Sequence, residues 1–218
     1  MELSLQVEGG TAEMSAVRFD SRHFTLRVVD QPESWSFGDT LGSSMRSAGA
    51  IAGVNGGYFH PDFTPLGLMI ANGRTLGQFT RSSLVSGMLR VLQGEPALIW
   101  NSESSSTAGA SDLLQAGPRL VDRGQPVSGL NASKVAARTF LATDGKHHWL
   151  VGVVRSTTLK GLAKLLAMPN LVAGMRVDRA LNLDGGRSTA FYVRTSDGRE
   201  ISQPGWSTVR SYVAVVPR

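Results

Sequence analysis

Five dipeptides that end in glycine, each set between apolar runs, constrain the fold of this chain more than any other feature. They are Asn72-Gly73, Gln93-Gly94, Arg123-Gly124, Asp144-Gly145 and Asp197-Gly198. A tight hairpin turn that follows the twist of its strands needs positive φ at both central residues, and Asn-Gly or Asp-Gly supplies this at least steric cost. The spacing predicts hairpins over Leu68–Leu76, Met88–Trp100, Arg119–Val127, Thr139–Val154 and Phe191–Ile201. Successive hairpins call for antiparallel pairing and argue against a doubly wound parallel sheet. Phe24–Val28 alternates apolar and polar residues, as a half-buried strand does.

Two segments carry a helical pattern. Thr158–Met168 has a hydroxyl cap, apolar residues at Leu159, Leu162, Leu165 and Leu166, and Pro169 to stop it. Phe37–Ala48 is weaker because Gly42 interrupts it. Asn101–Ala110 is small and polar and reads as a flexible loop. No internal repeat or domain boundary is evident. The expected fold is α+β: one domain over residues 1–218, with twisted, mainly antiparallel β-structure and a few packed helices.

A chain of 218 residues is long enough to bury a substantial core. No run approaches the roughly 20 apolar residues of a membrane helix, so no membrane span is expected. The 22 basic residues exceed the 17 acidic ones, but they are scattered and do not form a stripe with interleaved aromatics. Nucleic acid is therefore not the expected partner; the excess suits a mild attraction to anionic substrates. Without cysteine there is no disulfide framework, thiolate metal site or thiol nucleophile. Met1-Glu2-Leu3-Ser4 has neither the basic start nor the apolar stretch of an export signal. Any such signal is expected to have been removed or never to have existed. A periplasmic or secreted location is expected, with a cytoplasmic one left open, and the oligomeric state is unknown.

Chemistry concentrates in Asn182-Leu183-Asp184-Gly185-Gly186-Arg187-Ser188-Thr189, which lies between apolar runs. It puts an acid, two glycines, an arginine and hydroxyls on one sharp turn. A second glycine pair stands in Asn55-Gly56-Gly57-Tyr58-Phe59. Glycine lets a backbone turn sharply and lets a ligand approach it closely. By pattern alone, either segment also reads as a plain structural turn, with Tyr58 and Phe59 in the core.

Further segments complete a pattern: Pro65-Leu66-Gly67, Gly117-Pro118-Arg119-Leu120 and Ala137-Arg138-Thr139. With the two glycine turns, in this order, they resemble the phosphodiester glycosidase family. The resemblance runs from about Ile51 to the carboxyl terminus. The family includes the enzyme that uncovers mannose 6-phosphate by removing a covering N-acetylglucosamine. The chain departs from the family at Arg187, where a third glycine is usual, and at His60, where an acid is common.

The resemblance implies hydrolysis of a glycosyl phosphodiester in a small molecule or glycan, such as an exported polysaccharide, with no cofactor and no metal. Its chemistry is coherent. A phosphate monoester is a good leaving group, so the second carboxyl group of ordinary glycosidases matters less. A cation that holds the departing phosphate matters more, and the planar fork of arginine suits it. Asp184 would act as nucleophile or as the base that activates water, with Arg138 and Arg187 on the phosphate. Amides of Gly56, Gly57, Gly185 and Gly186 would form anion nests. Asn55, Thr139 and Ser188 would hydrogen-bond sugar hydroxyls or phosphate, and Tyr58 and Arg119 would line the site. Arg210, in the last strand, is a remote candidate.

Among the histidines, only His60 is a candidate proton donor. His147 and His148 open a strand and point to opposite faces, so they cannot chelate one ion together. His23 reads as an exposed strand residue. No spacing resembles a zinc site, and Asp62, Asp178 and Asp184 are too scattered for a calcium loop. Ser188 lacks a nucleophile-elbow context. Two other readings stay open: a glycan or sugar-phosphate binding module without activity, and a metal-dependent phosphoesterase.

Overall fold

The glycine dipeptides close the hairpins expected of them in the computed structural model, which describes residues 2–7, 10–31, 40–103 and 107–218. Three are two-residue turns with both residues left-handed: Asn72 and Gly73 (φ 48° and 76°), Gln93 and Gly94 (51° and 79°), Arg123 and Gly124 (50° and 74°). The other two hairpins have longer connections in which an aspartate caps the loop. Asp144 Oδ1 accepts from the backbone N–H groups of Lys146 and His148 at 2.8 and 3.1 Å, and Asp197 Oδ1 from Arg199 at 3.3 Å.

Three sheets result, and every strand pairing among the described residues is antiparallel. The first runs β1 (Glu2–Val7), β2 (Gly10–Asp20), β13 (His148–Thr157), β12 (Ala136–Thr143), β14 (Arg179–Asn182), β10 (Arg119–Asp122), β11 (Gln125–Pro126). The second runs β16 (Glu200–Gln203), β15 (Phe191–Arg194), β4 (Ala52–Asn55), β17 (Ser211–Pro217), β3 (Phe24–Asp30). The third runs β6 (Arg74–Leu76), β5 (Met69–Ala71), β9 (Ala110–Ala116), β7 (Gly87–Leu92), β8 (Glu95–Trp100).

The inner faces of all three sheets meet in one apolar core that includes Leu26, Val54, Leu89, Leu114, Trp149 and Val213. Strand alternation decides which residues enter it. Along β13, Trp149, Val151 and Val153 point into this core, while Leu150 and Val154 point out. The outward set is covered by α2 (Leu159–Leu166) through Leu162, Leu165 and Leu166. That helix starts where expected, with the Thr158 hydroxyl accepting from Gly161 N–H at 2.9 Å. On the second sheet, α1 (Thr40–Ser47) buries Leu41 and Met45 against Tyr192 and Ala214. The expected start of this helix, residues 37–39, lies outside the described residues, as do residues 104–106 of the expected loop.

Two expectations need correction. His23 is not in a strand: it ends the Ser21–His23 turn, where Asp20 holds the backbone N–H and guanidinium of Arg22. Arg210 precedes β17 and is buried in an ion pair with Asp30, its guanidinium over the Phe63 ring, so it serves the scaffold. Among the described residues, no helix is long and apolar enough to cross a membrane.

Sheet order brings the chemistry together. In β12 and β14, Phe140 pairs with Asn182, so the start of β12 lies beside the end of β14. The end of β4 at Asn55 faces Tyr212 of β17 and joins the same rim through the contacts below.

Candidate active site

The two glycine turns meet. Asp184 N–H donates to the Gly56 carbonyl at 3.1 Å, and the Asn55 carboxamide donates to the Asp184 carbonyl at 2.8 Å. The Asn55 oxygen accepts from the Thr139 hydroxyl at 2.7 Å and from Ala190 N–H at 3.0 Å. Asn55 and Thr139 are fully buried, so both are committed to fixing the backbone of the Asp184 turn. Substrate contact, expected for both, is not available to side chains so placed.

A second clasp was not foreseen. Asn182 Nδ2 donates to the Tyr58 hydroxyl and to the Gly117 carbonyl, both at 2.9 Å, and the Tyr58 hydroxyl itself donates to the Gly117 carbonyl at 2.9 Å. Burial and the Asp184 carboxylate push the Tyr58 phenol well above its ordinary range, although Arg138 and the Asn182 hydrogen bond pull the other way. Tyr58 therefore stays protonated and within electrostatic reach of both charged groups.

Asp184 is half-buried. Burial raises its pKa, opposed by hydrogen bonds from the Ser188 hydroxyl and from Gly185 N–H at 2.8 Å. Desolvation wins because two donors do not replace a full hydration shell. Gly185 lies so close to β12 that a Cβ would sit 2.7 Å from the Ala137 carbonyl oxygen. Only glycine lets the turn press against the strand that carries Arg138.

Arg138 is buried, its Nε and Nη2 donating to the Thr157 and Lys134 carbonyls at 3.3 and 2.7 Å. Two of the five guanidinium N–H donors are thus used to fix its plane, and the others keep their capacity. Among the described residues it forms no ion pair with Asp184 or any other carboxylate. Desolvation lowers its pKa, with Tyr58 opposing.

The remaining expected residues are placed unevenly. Ser188 is buried at the site, 3.4 Å from the Ser207 hydroxyl. Arg187 is exposed on a short 3-10 turn, Gly186–Ser188, which Gly186 enters with φ 63°. The anion-nest expectation fails for two amides: Gly56 N–H donates to the Ser211 carbonyl at 2.7 Å, and Gly185 N–H to Asp184 itself. Gly57 is buried against Leu114 and Gln115. Arg119 stacks on Trp100 at 5.5 Å, beyond the Gly117-Pro118 corner. His60 is exposed at the start of a turn closed by Asp62 and Thr64, and no hydrogen bond or ion pair joins its ring to Asp184 or Arg138. His147 is exposed in a loop, and His148 binds Asp144 at 2.8 Å, remote from the site. Among the described residues, no group of three or more His, Asp or Glu side chains is placed to hold a metal ion.

Trp206, a residue without a motif, is held beside the acid-bearing turn. Its backbone N–H donates to the Arg187 carbonyl at 2.7 Å, and Gly205 packs so tightly on the Arg187 and Ser188 carbonyls that a Cβ would lie within 2.9 Å of both. The loop is thus clamped to the acid-bearing turn, yet the indole is 86% exposed. A lone tryptophan in the polar run Pro204-Gly205-Trp206-Ser207 was the available signal.

A phosphodiester glycosidase family model matches residues 48–216. No curated protein matches the chain by sequence. Among solved structures, the catalytic domain of zebrafish N-acetylglucosamine-1-phosphodiester alpha-N-acetylglucosaminidase, auto-inhibited by its pro-peptide, superposes with a TM-score of 0.67 at 16% identity, covering 100% of this chain and 82% of that one. A hypothetical protein from Synechocystis superposes with a TM-score of 0.66 at 15% identity, covering 100% of this chain and 61% of that one. At these identities the two likenesses speak for the fold.

Proposed function

The chain belongs to the phosphodiester glycosidase family, and on that premise we propose that it is a hydrolase that cleaves the glycosyl–phosphate bond of a sugar-1-phosphodiester. The observation that carries this reading is one half-buried acid, Asp184, whose turn presses against the strand that carries Arg138, a guanidinium that pairs with no carboxylate among the described residues. An acid already paired with the arginine would leave neither free for substrate.

In this reading Arg138, helped by the exposed Arg187, holds the phosphate and spreads the charge that builds on it as the anomeric C–O bond breaks. The bonding pair leaves with the phosphate, which departs as a phosphomonoester and needs no proton from His60. Asp184 acts at the anomeric carbon, as nucleophile or as the base that takes a proton from water. By either route the oxygen that ends on the sugar comes from solvent. Tyr58 donates its proton to Gly117, so it helps to shape the wall of the site. Trp206 offers an aromatic face on which a sugar ring can stack.

The zebrafish neighbour is named for a 1-phosphodiester of N-acetylglucosamine, so sugar-1-phosphodiesters are the class to test first. An exported glycan met in the periplasm or outside the cell is the setting we propose. The test is a screen of the purified protein against sugar-1-phosphodiesters, with Asp184→Asn as control. Sugar release by the wild type, lost in the variant, supports the reading. Binding without product points to a carbohydrate-binding module, and activity abolished by a chelator points to a metal-dependent phosphoesterase.

A further inference from the structure

A cavity opens beside β10 of the first sheet, beyond the Gly117-Pro118 corner. It encloses about 280 Å³ and is lined by Arg81, Ser82, Ser86, Asn101, Ser102 and Arg119. No acid lines it. Glu103, the carboxylate within electrostatic reach of Arg119, is taken up by Arg179 at 2.6 Å. Among the described residues, neither Arg81 nor Arg119 has a carboxylate at ion-pair distance.

Both guanidinium groups are braced through their faces: Arg119 over Trp100 at 5.5 Å and Arg81 over Phe79 at 5.7 Å. Stacking uses the face of the group and leaves its in-plane N–H donors for a ligand. Two hydroxyls add to them. Ser82 Oγ accepts from Leu84 N–H and Ser86 Oγ from Arg119 N–H, each at 3.1 Å, so each spends a lone pair and keeps its hydrogen to donate. Two cations and two hydroxyl donors around a small space with no acid fit a tetrahedral dianion.

This cavity is coupled to the Asp184 centre by one short strip of backbone. The Gly117 and Pro118 carbonyls accept from Tyr58 and Asn182, while the Arg119 amide faces the cavity through Ser86. Arg119 pairs with Leu181, and the three residues from Leu181 to Asp184 span at most about 10 Å. One sugar or polyol unit between two phosphates covers such a gap.

We propose that this cavity is a second phosphate subsite, which takes a phosphate group carried by the aglycone one unit beyond the scissile diester. The inference rests on the reading of Asp184 as the cleavage centre and adds a substrate class: sugars or polyols joined in a chain by phosphodiesters.

Two measurements test it. In the first, the full chain is titrated with inorganic phosphate at constant ionic strength by calorimetry, as wild type, Arg81→Gln, Arg119→Gln and Asp184→Asn, with thermal unfolding as a check on folding. Affinity should fall about tenfold or more in Arg81→Gln and Arg119→Gln and should not fall in Asp184→Asn. Arg119 also braces Trp100, so the exposed Arg81 decides the matter if Arg119→Gln does not fold. Failure of the wild type to bind phosphate, or unchanged affinity in Arg81→Gln, overturns the subsite. In the second, kcat/KM is compared for two sugar-1-phosphodiesters that differ by a terminal phosphate on the aglycone. Their ratio should drop about tenfold in Arg81→Gln, and a ratio that stays put overturns the substrate class. If neither substrate turns over, the proposed reaction fails, while the phosphate titration still decides the subsite.

Discussion

Asn55 and Asp184 stand 129 residues apart in the sequence and are joined by a 2.8 Å hydrogen bond from the Asn55 carboxamide to the Asp184 carbonyl. With the Asp184 N–H to Gly56 contact, this bond locks two turns into one rim and fixes where the carboxylate points. Activity at Asp184 should therefore depend on a residue that touches no substrate.

Asn55→Ala removes the partner of three buried groups: the Asp184 carbonyl, the Thr139 hydroxyl and Ala190 N–H. Each buried group left unpaired costs about 1 kcal/mol or more. We expect a loss of roughly 2–4 kcal/mol in denaturant unfolding, together with a fall in kcat. A double-mutant cycle with Thr139→Val should show strong coupling between the two sites.

Asp184→Asn should make the protein more stable at neutral pH. Burial lifts this carboxyl above its ordinary 3.8, so the folded protein holds the proton more tightly than the unfolded chain does. That contribution is full below the unfolded value and is lost as pH rises through the folded one, so ionised Asp184 is a burden at neutrality. Thermal unfolding across pH should show the variant gaining on the wild type as pH climbs above about 4, and then a constant gap. A gap independent of pH would contradict the account.

The same shift sets the pH profile of the reaction. Asp184 must be ionised to act as nucleophile or base, so the acid limb of kcat/KM should lie above the position of an ordinary aspartate. Removing the Ser188 hydroxyl, which holds the pKa down, should move that limb further up in Ser188→Ala. Asp184→Asn should lower kcat by roughly 10²–10⁴-fold at every pH.

Gly185→Ala tests the close approach of the turn to β12. Its Cβ would lie 2.7 Å from a backbone oxygen, so the turn must shift away from Ala137 and Arg138. Overpacking of this kind costs about 1–3 kcal/mol, and kcat should fall more than the stability loss alone would explain.

Trp206→Ala should leave thermal unfolding unchanged, because the indole is almost wholly exposed. If it stacks on the sugar, KM should rise roughly 5- to 30-fold, the equivalent of about 1–2 kcal/mol. An unchanged KM removes Trp206 from the site.

Much of the fold was legible because local rules govern it. Asn72-Gly73 and Arg123-Gly124 need left-handed backbone wherever they occur, and Thr158 caps a helix by its own hydroxyl. The chemistry at Asp184 was legible as a motif, and the meeting of the two turns followed from the family resemblance. What escaped was long-range. Nothing local says that Asn55 and Thr139 spend their polar atoms on each other, or that Gly56 N–H is taken by Ser211. Nothing in the sequence around Arg138 marks it as buried; its burial follows from the fold around β12. The place of Trp206 depends on a backbone clamp to Arg187 that no periodicity encodes.

The most direct test of the central claim is hydrolysis of a sugar-1-phosphodiester in water enriched in oxygen-18, with mass analysis of both products. The account predicts the label on the anomeric hydroxyl of the sugar and none in the phosphomonoester, with product from Asp184→Asn formed at least about 10²-fold more slowly. Label in the phosphate would mean cleavage at phosphorus and would contradict a glycosidase at Asp184.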